Sequence, residues 1–352
     1  MYFARYSPPG FAEAVSQSAE RVYSGNGRRK TVDSVDTGAI IGPPGEWRCC
    51  VRSLLVVIAL VVTSVVVNGQ HWTPPRTPWG EPDLQGLWPG VEMLGVPLQR
   101  PTGLGDKSTL TEEEFAKLPA QRRTPNDNDA FFGESRSHWR EYGKPQHQTS
   151  LIVDPSNGRY PTMTAEGQNR FSTRPSEARG PLDGPENVSA QARCLSRGPL
   201  GSMLPIGNSS GNQITQSPGW VVIRNEMIHE ARVIPVDGRP HLGSKIRSYM
   251  GSSKGWWDGN TLVVETTNFD DRNNGVNTFS GDARLTERFT RTAPDTIRYE
   301  ATIDDPRTWT RAWSVSFPLK QDPSYELFEF ACHEGNFLSM SSMLGGARLL
   351  DK

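Results

Sequence analysis

Apolar and polar residues alternate with a period of two through much of the second half of this chain, and that alternation fixes the first expectations. Ile297, Tyr299, Ala301 and Ile303 form one row and Arg298, Glu300, Thr302 and Asp304 the opposite one, which predicts a half-buried β-strand. Turn chemistry punctuates the neighbouring runs. Asp258-Gly259-Asn260 predicts a hairpin over 256–269, and Ala293-Pro294-Asp295 another over 285–304. A third is expected over 309–334, turning at 320–324, and a fourth over 149–163 about Pro155-Ser156-Asn157-Gly158. The run 220–240 is too long for one strand and is expected to break near Asn225. Turns every eight to twelve residues with little helical periodicity predict a mainly β antiparallel meander, closed or nearly closed into a lipocalin-like barrel, because closure removes exposed edges. A two-sheet sandwich is the alternative.

The rows also sort the ionisable side chains. Leu285, Glu287, Phe289 and Arg291 share a face, as do Met227, His229, Ala231 and Val233. Trp309, Arg311, Trp313, Val315 and Phe317 form a third row, and Leu327, Glu329, Ala331 and His333 a fourth. If these rows face a barrel interior, Arg311, Glu329, Glu287, His229 and His333 line or gate a cavity, and each buried charge needs a partner there. If they face outward, they are solvated residues beneath straps from the first half of the chain.

The first half, residues 70–148, reads as long irregular straps. Its opening, HWTPPRTPWGEPDLQGLW, is proline-rich and suits extended chain lying over other structure. Thr111 with Glu114 makes a capping box that starts a short helix ended by Pro119, and a second short helix is expected over 134–142. Residues 171–191 read as loop, and the β domain is expected over 149–352.

One long apolar run, residues 54–67, is shorter than the roughly 20 residues a bilayer span needs but matches a signal-peptide core. Residues 51–69 are therefore expected to be a cleaved leader with translation starting at Val51, and residues 1–50 an upstream segment or a disordered arm. The mature chain is expected to be periplasmic or secreted, with no stable membrane insertion. Export changes the meaning of the cysteines. Cys49 and Cys50 precede the apolar core, which leaves Cys194 and Cys332 in an oxidising compartment as one disulfide. Closing so long a loop contributes on the order of 4 kcal/mol in the chain-entropy model. A formal net charge of −1 argues against a nucleic-acid partner. With 34 glycines and 28 prolines the chain is loop-rich, but 10 tryptophans and 13 phenylalanines suffice for a core.

Few motifs with a defined chemistry survive inspection. Gly251-Ser-Ser-Lys-Gly255 has the letters of a nucleophile elbow around Ser253, but a hairpin follows where a helix is required. Residues 103–109 lack the glycines of a phosphate loop, and residues 270–275 lack the ligands of a calcium loop. No histidine or cysteine spacing signals zinc, so no metal or cofactor is assigned. His229 and His333, with Glu334, Glu226 or Asp237 orienting an imidazole, are the general acid/base candidates. Arg239 reads as a turn cap or an anion contact. Trp256, Trp257, Trp309 and Trp313 read as core or as an aromatic platform for sugars.

The segments at residues 193–205 (RCLSRGPLGSMLP), 216–241 (QSPGWVVIRNEMIHEARVIPVDGRPH), 255–269 (GWWDGNTLVVETTNF), 285–291 (LTERFTR), 304–315 (DDPRTWTRAWSV) and 330–336 (FACHEGN) resemble a family of exported bacterial proteins of unknown function. The likeness covers roughly residues 145–350 and implies export but no reaction. Two readings follow. In the first, the barrel binds a small, partly apolar ligand between Trp309, Trp313 and Tyr299, oriented by Arg311 or Glu329. In the second, the same scaffold is a hydrolase or lyase working through His229, His333 and Glu334. A carbohydrate-binding protein is a third possibility.

Overall fold

The computed structural model describes residues 72–118, 141, 143–175, 184–271 and 279–350. The expected leader, the segment before it, and the helix expected over 134–142 (Glu141 apart) lie outside these residues. In chain order the elements are β1 (Gly86–Leu87), α1 (Glu112–Ala116), β2 (Ile152–Asp154), α2 (Ala165–Thr173), α3 (Pro199–Met203), β3 (Asn212–Ser217), β4 (Trp220–Asn225), β5 (Ala231–Pro235), β6 (Ser252–Asp258), β7 (Thr261–Thr267), β8 (Arg284–Ala293), β9 (Thr296–Asp304), β10 (Trp313–Lys320) and α4 (Cys332–Leu350). No described helix is long and apolar enough to cross a membrane.

The strands form two antiparallel sheets, one ordered β1-β3-β4-β5 and the other β2-β10-β9-β8-β7-β6. The expected closed barrel is therefore corrected to a two-sheet arrangement. The ladder breaks between β5 and β6, which pass close together without pairing. A methyl group on Gly255 of β6 would come within 3.0 Å of Val236 and 3.2 Å of Ile234. Both sheets send side chains into one core. Ile214, Val221, Ile223 and Ile234 come from the first, and Leu262, Leu285, Phe289, Tyr299 and Phe317 from the second. The aromatic rings of Phe289, Tyr299 and Phe317 run across the sheet at centroid spacings of 5.1 Å.

Local sequence accounts for much of this. The row Ile297, Tyr299, Ala301 and Ile303 is buried to 1% exposure or less, as alternation requires. The Asp258-Gly259-Asn260 and Ala293-Pro294-Asp295 turns join β6 to β7 and β8 to β9. The long run breaks after Asn225, and β4 and β5 pair on either side. Thr111 caps α1, whose Glu114 returns a bond to the Thr111 amide at 2.9 Å. Lys107 and that amide hold the Glu114 carboxyl down at about 2.

Two hairpins are corrected. The strand at Ile152–Asp154 does not fold back on itself but pairs with β10, and the chain after its turn meets Trp309 through a single bridge at Met163 and the stacked ring of Tyr160. The strand expected after β10 does not form either. β10 pairs with β9 along its whole length and with β2 only at Ser314 and Val315, and residues 321–331 join neither sheet. They cross the molecule as a strap, and the sequence then turns helical at Cys332.

β3 is polar, so no apolar alternation marks it in the sequence. Its inward amides serve the proline-rich chain beside it. Gln216 accepts from the Leu84 amide at 2.7 Å and donates to the Pro82 carbonyl at 3.1 Å. Asn212 donates to the Trp88 carbonyl at 3.1 Å. Backbone that cannot pair in a ladder needs such side-chain partners once it is buried.

Candidate functional site

The strap crosses the end of the four-stranded sheet where β4 gives way to β5. After Asn225 the chain makes a tight turn in which Ile228 (φ 61°) and His229 (φ 45°) are left-handed. A β-branched residue rarely adopts that conformation, so the turn is strained and held by its surroundings. Glu226, 4% exposed, supplies part of the hold. Its carboxylate accepts from the amides of Gly211 and Phe328, both at 3.2 Å, and from the Tyr325 hydroxyl at 2.6 Å. Any side chain at position 211 would collide, since a Cβ there would sit 2.7 Å from the Glu226 carboxylate and 2.8 Å from Leu327.

The Tyr325 hydroxyl also lies 2.8 Å from the Glu141 carboxyl. A phenol has one proton and cannot donate to two carboxylates, so the second contact requires a proton on a carboxyl group. Burial raises the pKa of Glu141, and the nearby charge of Glu226 adds to the effect. The Tyr325 hydroxyl is pushed up as well, by burial and then by the Glu141 charge. The three side chains form a partly buried proton-sharing cluster, and among the described residues no lysine or arginine hydrogen-bonds to either carboxyl group.

Beside the cluster, the strap is fastened twice more. The Phe330 carbonyl lies 3.2 Å from His229 Nδ1. Cys332 is joined to Cys194 by the expected disulfide, with Cα atoms 5.8 Å apart. Asn336 donates to the Ala192 carbonyl at 2.9 Å and faces both sulfurs, at 3.3 Å from Cys194 and 3.6 Å from Cys332. Cys194 is also left-handed, at φ 57°.

A second buried charge group ties the two sheets together. Arg232 of β5 donates to the Glu287 carboxylate of β8 through both terminal nitrogens, one bond measuring 2.9 Å, and Tyr299 donates to the same carboxylate at 2.9 Å. Burial opposes charge on Arg232, but Glu287 outweighs it and the guanidinium stays protonated. Burial drives the Tyr299 hydroxyl well above its ordinary value, with Glu287 adding to the effect. Nearby, burial lowers Arg197 to about 10, and the same cause raises Glu230, whose carboxylate accepts from the Arg197 amide at 3.1 Å.

The predicted site residues distribute unevenly over this geometry. Tyr299 and Trp313 are fully buried and Trp309 is 7% exposed, so they build the core rather than the walls of a cavity. Arg311 is exposed and holds Asp154 of β2 at 2.7 Å, because the chain before β10 has turned outward at that point. Glu329 is exposed on the strap, since the strand that would have pointed it inward is absent. His333 and Glu334 are exposed in the first turn of α4, and no hydrogen bond joins His333 to His229. Arg239 is exposed at its turn. It binds Asp237 at 2.9 Å and lies 4.4 Å from the Trp220 ring centroid. Of the acid/base set, the structure places Glu226 under the strap and leaves His229 exposed at its edge, with Tyr325 and Glu141 as additions that no spacing signalled.

Elsewhere the surface offers less. An open groove of about 470 Å³ lies on the outer side of β9 and β10 beside Thr296, Arg298, Ser316 and Pro318. His241 bonds Glu265 at 2.9 Å, but that carboxylate is already shared with Arg284 and Lys254 in a surface network. Among the described residues no group of three or more histidine, cysteine, aspartate and glutamate side chains converges as a metal site would. No family model, curated protein or solved structure matches the chain.

Proposed function

We propose that this chain is an exported protein that binds a small, partly apolar ligand at the strap-covered end of the four-stranded sheet. The observation that carries the reading is the meeting of a buried carboxyl group, Glu226, and a half-buried one, Glu141, at the single hydroxyl of Tyr325. Acceptors there outnumber donors, so the ligand that fits brings hydrogen-bond donors or a positive charge. Its apolar part meets Leu327 and Phe328, the latter 63% exposed. The disulfide supports export, since such bonds persist in oxidising compartments.

A panel of alkyl amines, alcohols and sugars tested by thermal unfolding decides the matter. A partly apolar amine or alcohol is expected to raise Tm in a concentration-dependent way. Both Glu226→Gln and Tyr325→Phe should abolish that rise. A panel that leaves Tm unchanged, or a rise that survives both substitutions, sinks the reading.

A second reading, an acid–base hydrolase or lyase, is favoured by one feature. The two carboxyl groups sit in unequal environments, Glu141 raised by burial and Glu226 bound by three donors. That inequality assigns one as proton donor and the other as acceptor. Turnover of an ester or glycoside panel with a bell-shaped pH profile, flattened on one side by Glu141→Gln, is what this reading expects.

A further inference from the structure

Residues 321–331 are the longest described stretch after β10 without a ladder partner, and they cover the cluster just described. Their hold on the body is a short set of contacts. The Gln321 amide donates to the Asp295 carbonyl at 2.9 Å, Tyr325 rests on Glu141 and Glu226, the Phe328 amide rests on Glu226, the Phe330 carbonyl rests on His229, and the Cys332 sulfur is bonded to Cys194. Only the last is covalent, and it sits at the downstream end, where a released strap would swing away with α4.

The surroundings of that bond favour its opening. Cys332 is the first residue of the 19-residue α4, and the positive end of a helix stabilises a thiolate. The Asn336 amide faces both sulfurs and adds a donor for the same charge. A stabilised thiolate is the better leaving group in thiol exchange. Cys194 is held in a left-handed conformation that a non-glycine residue adopts at a cost, which an opened bond would relieve. Both cysteines keep some exposure, 9% and 7%.

We propose that the Cys194–Cys332 bond is a redox-operated latch that keeps the strap closed over the Glu141–Tyr325–Glu226 cluster, a proposal that rests on the binding site lying there. A dithiol reductant attacks Cys194, the S–S bond breaks, and Cys332 leaves as the thiolate. The second thiol of the reductant then resolves the mixed disulfide. In sum the dithiol is oxidised to a disulfide, and the two cysteines take up two electrons and two protons.

The test is hydrogen exchange on the exported chain, oxidised and then treated with dithiothreitol, alongside Cys332→Ser. The latch predicts at least tenfold faster exchange over residues 321–331 and at the Gly211 amide, in the reduced protein and the variant alike, with β7, β8 and β9 unchanged. Equal loss of protection across those strands makes the bond a staple of the whole fold and overturns the latch. So does strap exchange that reduction leaves untouched. Ligand binding is read separately. A strap that opens while the compound panel binds in neither state keeps the latch and removes the site.

Discussion

Residues 285–304 and residues 309–333 carry the same kind of alternating pattern, yet they end differently. In the first, β8 and β9 pair along most of their length, with a register shift after Arg291, and bury Leu285, Glu287 and Phe289 on one strand and Ile297, Tyr299, Ala301 and Ile303 on the other. In the second, β10 pairs fully with β9, but the alternation continues past Lys320 into chain that is not strand at all. The difference does not lie in local propensity, since Leu327, Phe328 and Phe330 are ordinary strand formers. It lies in the contacts that hold each segment. β10 has β9 along one side, whereas the further alternating segment is held by Glu226, His229 and the disulfide and is spent as a cover.

The comparison can be broken most sharply at Glu287. Replacing it with alanine leaves Arg232 buried and unpaired, and should cost about 3–5 kcal/mol in a denaturant titration. The double change Arg232→Met with Glu287→Leu should recover most of that, since neither charge is then stranded. A small loss in the single variant would mean that the paired region does not depend on its ion pair. Next in size is a matched test of the two regions. Ile297→Ala, at a fully buried position on β9, is expected to lose about 2–4 kcal/mol, while Leu327→Ala on the strap should lose under about 1 kcal/mol by the same method. Equal losses would erase the distinction. Tyr325→Phe then removes one bond to a charged acceptor, an effect of about 1–2 kcal/mol that amide exchange should place on the strap and not in β8 or β9.

The smallest effect is one of pH. Glu141 has a raised pKa when folded, so its contribution is present in full below the ordinary value of 4.5 and fades as pH climbs through the raised value. Tyr325, Glu226 and Ser210 are the groups that face it. Glu141→Gln should flatten that part of the stability profile. A variant with the same slope as the wild type would assign the titration to another group. Glu230 contributes in the same direction, whereas Asp282, lowered by Arg247 and Arg307, works in the opposite one and loses its contribution as pH falls.

Much of the fold was legible because the relevant physics is local. Asp-Gly-Asn and Ala-Pro-Asp demanded turns, and period two named the buried face of β9. The capping box at Thr111 placed α1, and two cysteines past an expected export signal left one pairing. Glu287 was read as a charge that needs a partner, and it has one. The partner was missed for a traceable reason. Counting by twos from Met227 put His229, Ala231 and Val233 on the inner face, but the turn at Ile228 and His229 shifts the phase, so that Arg232 and Ile234 point inward and Val233 is 60% exposed. The site was hidden for a different reason. Tyr325 reaches Glu226 and Glu141 across separations of 99 and 184 residues, and nothing in the neighbourhood of any one of them announces the others.

The charge pair between the sheets has a consequence for specificity of assembly. Two faces of aliphatic side chains can slide past one another by a residue pair and still meet hydrocarbon with hydrocarbon. A lone cation on one face and a lone anion on the other remove that tolerance, because any offset leaves each facing oil. The Arg232–Glu287 contact thus acts as a key cut for a single alignment, penalising misassembled sheets more heavily than it rewards the native one.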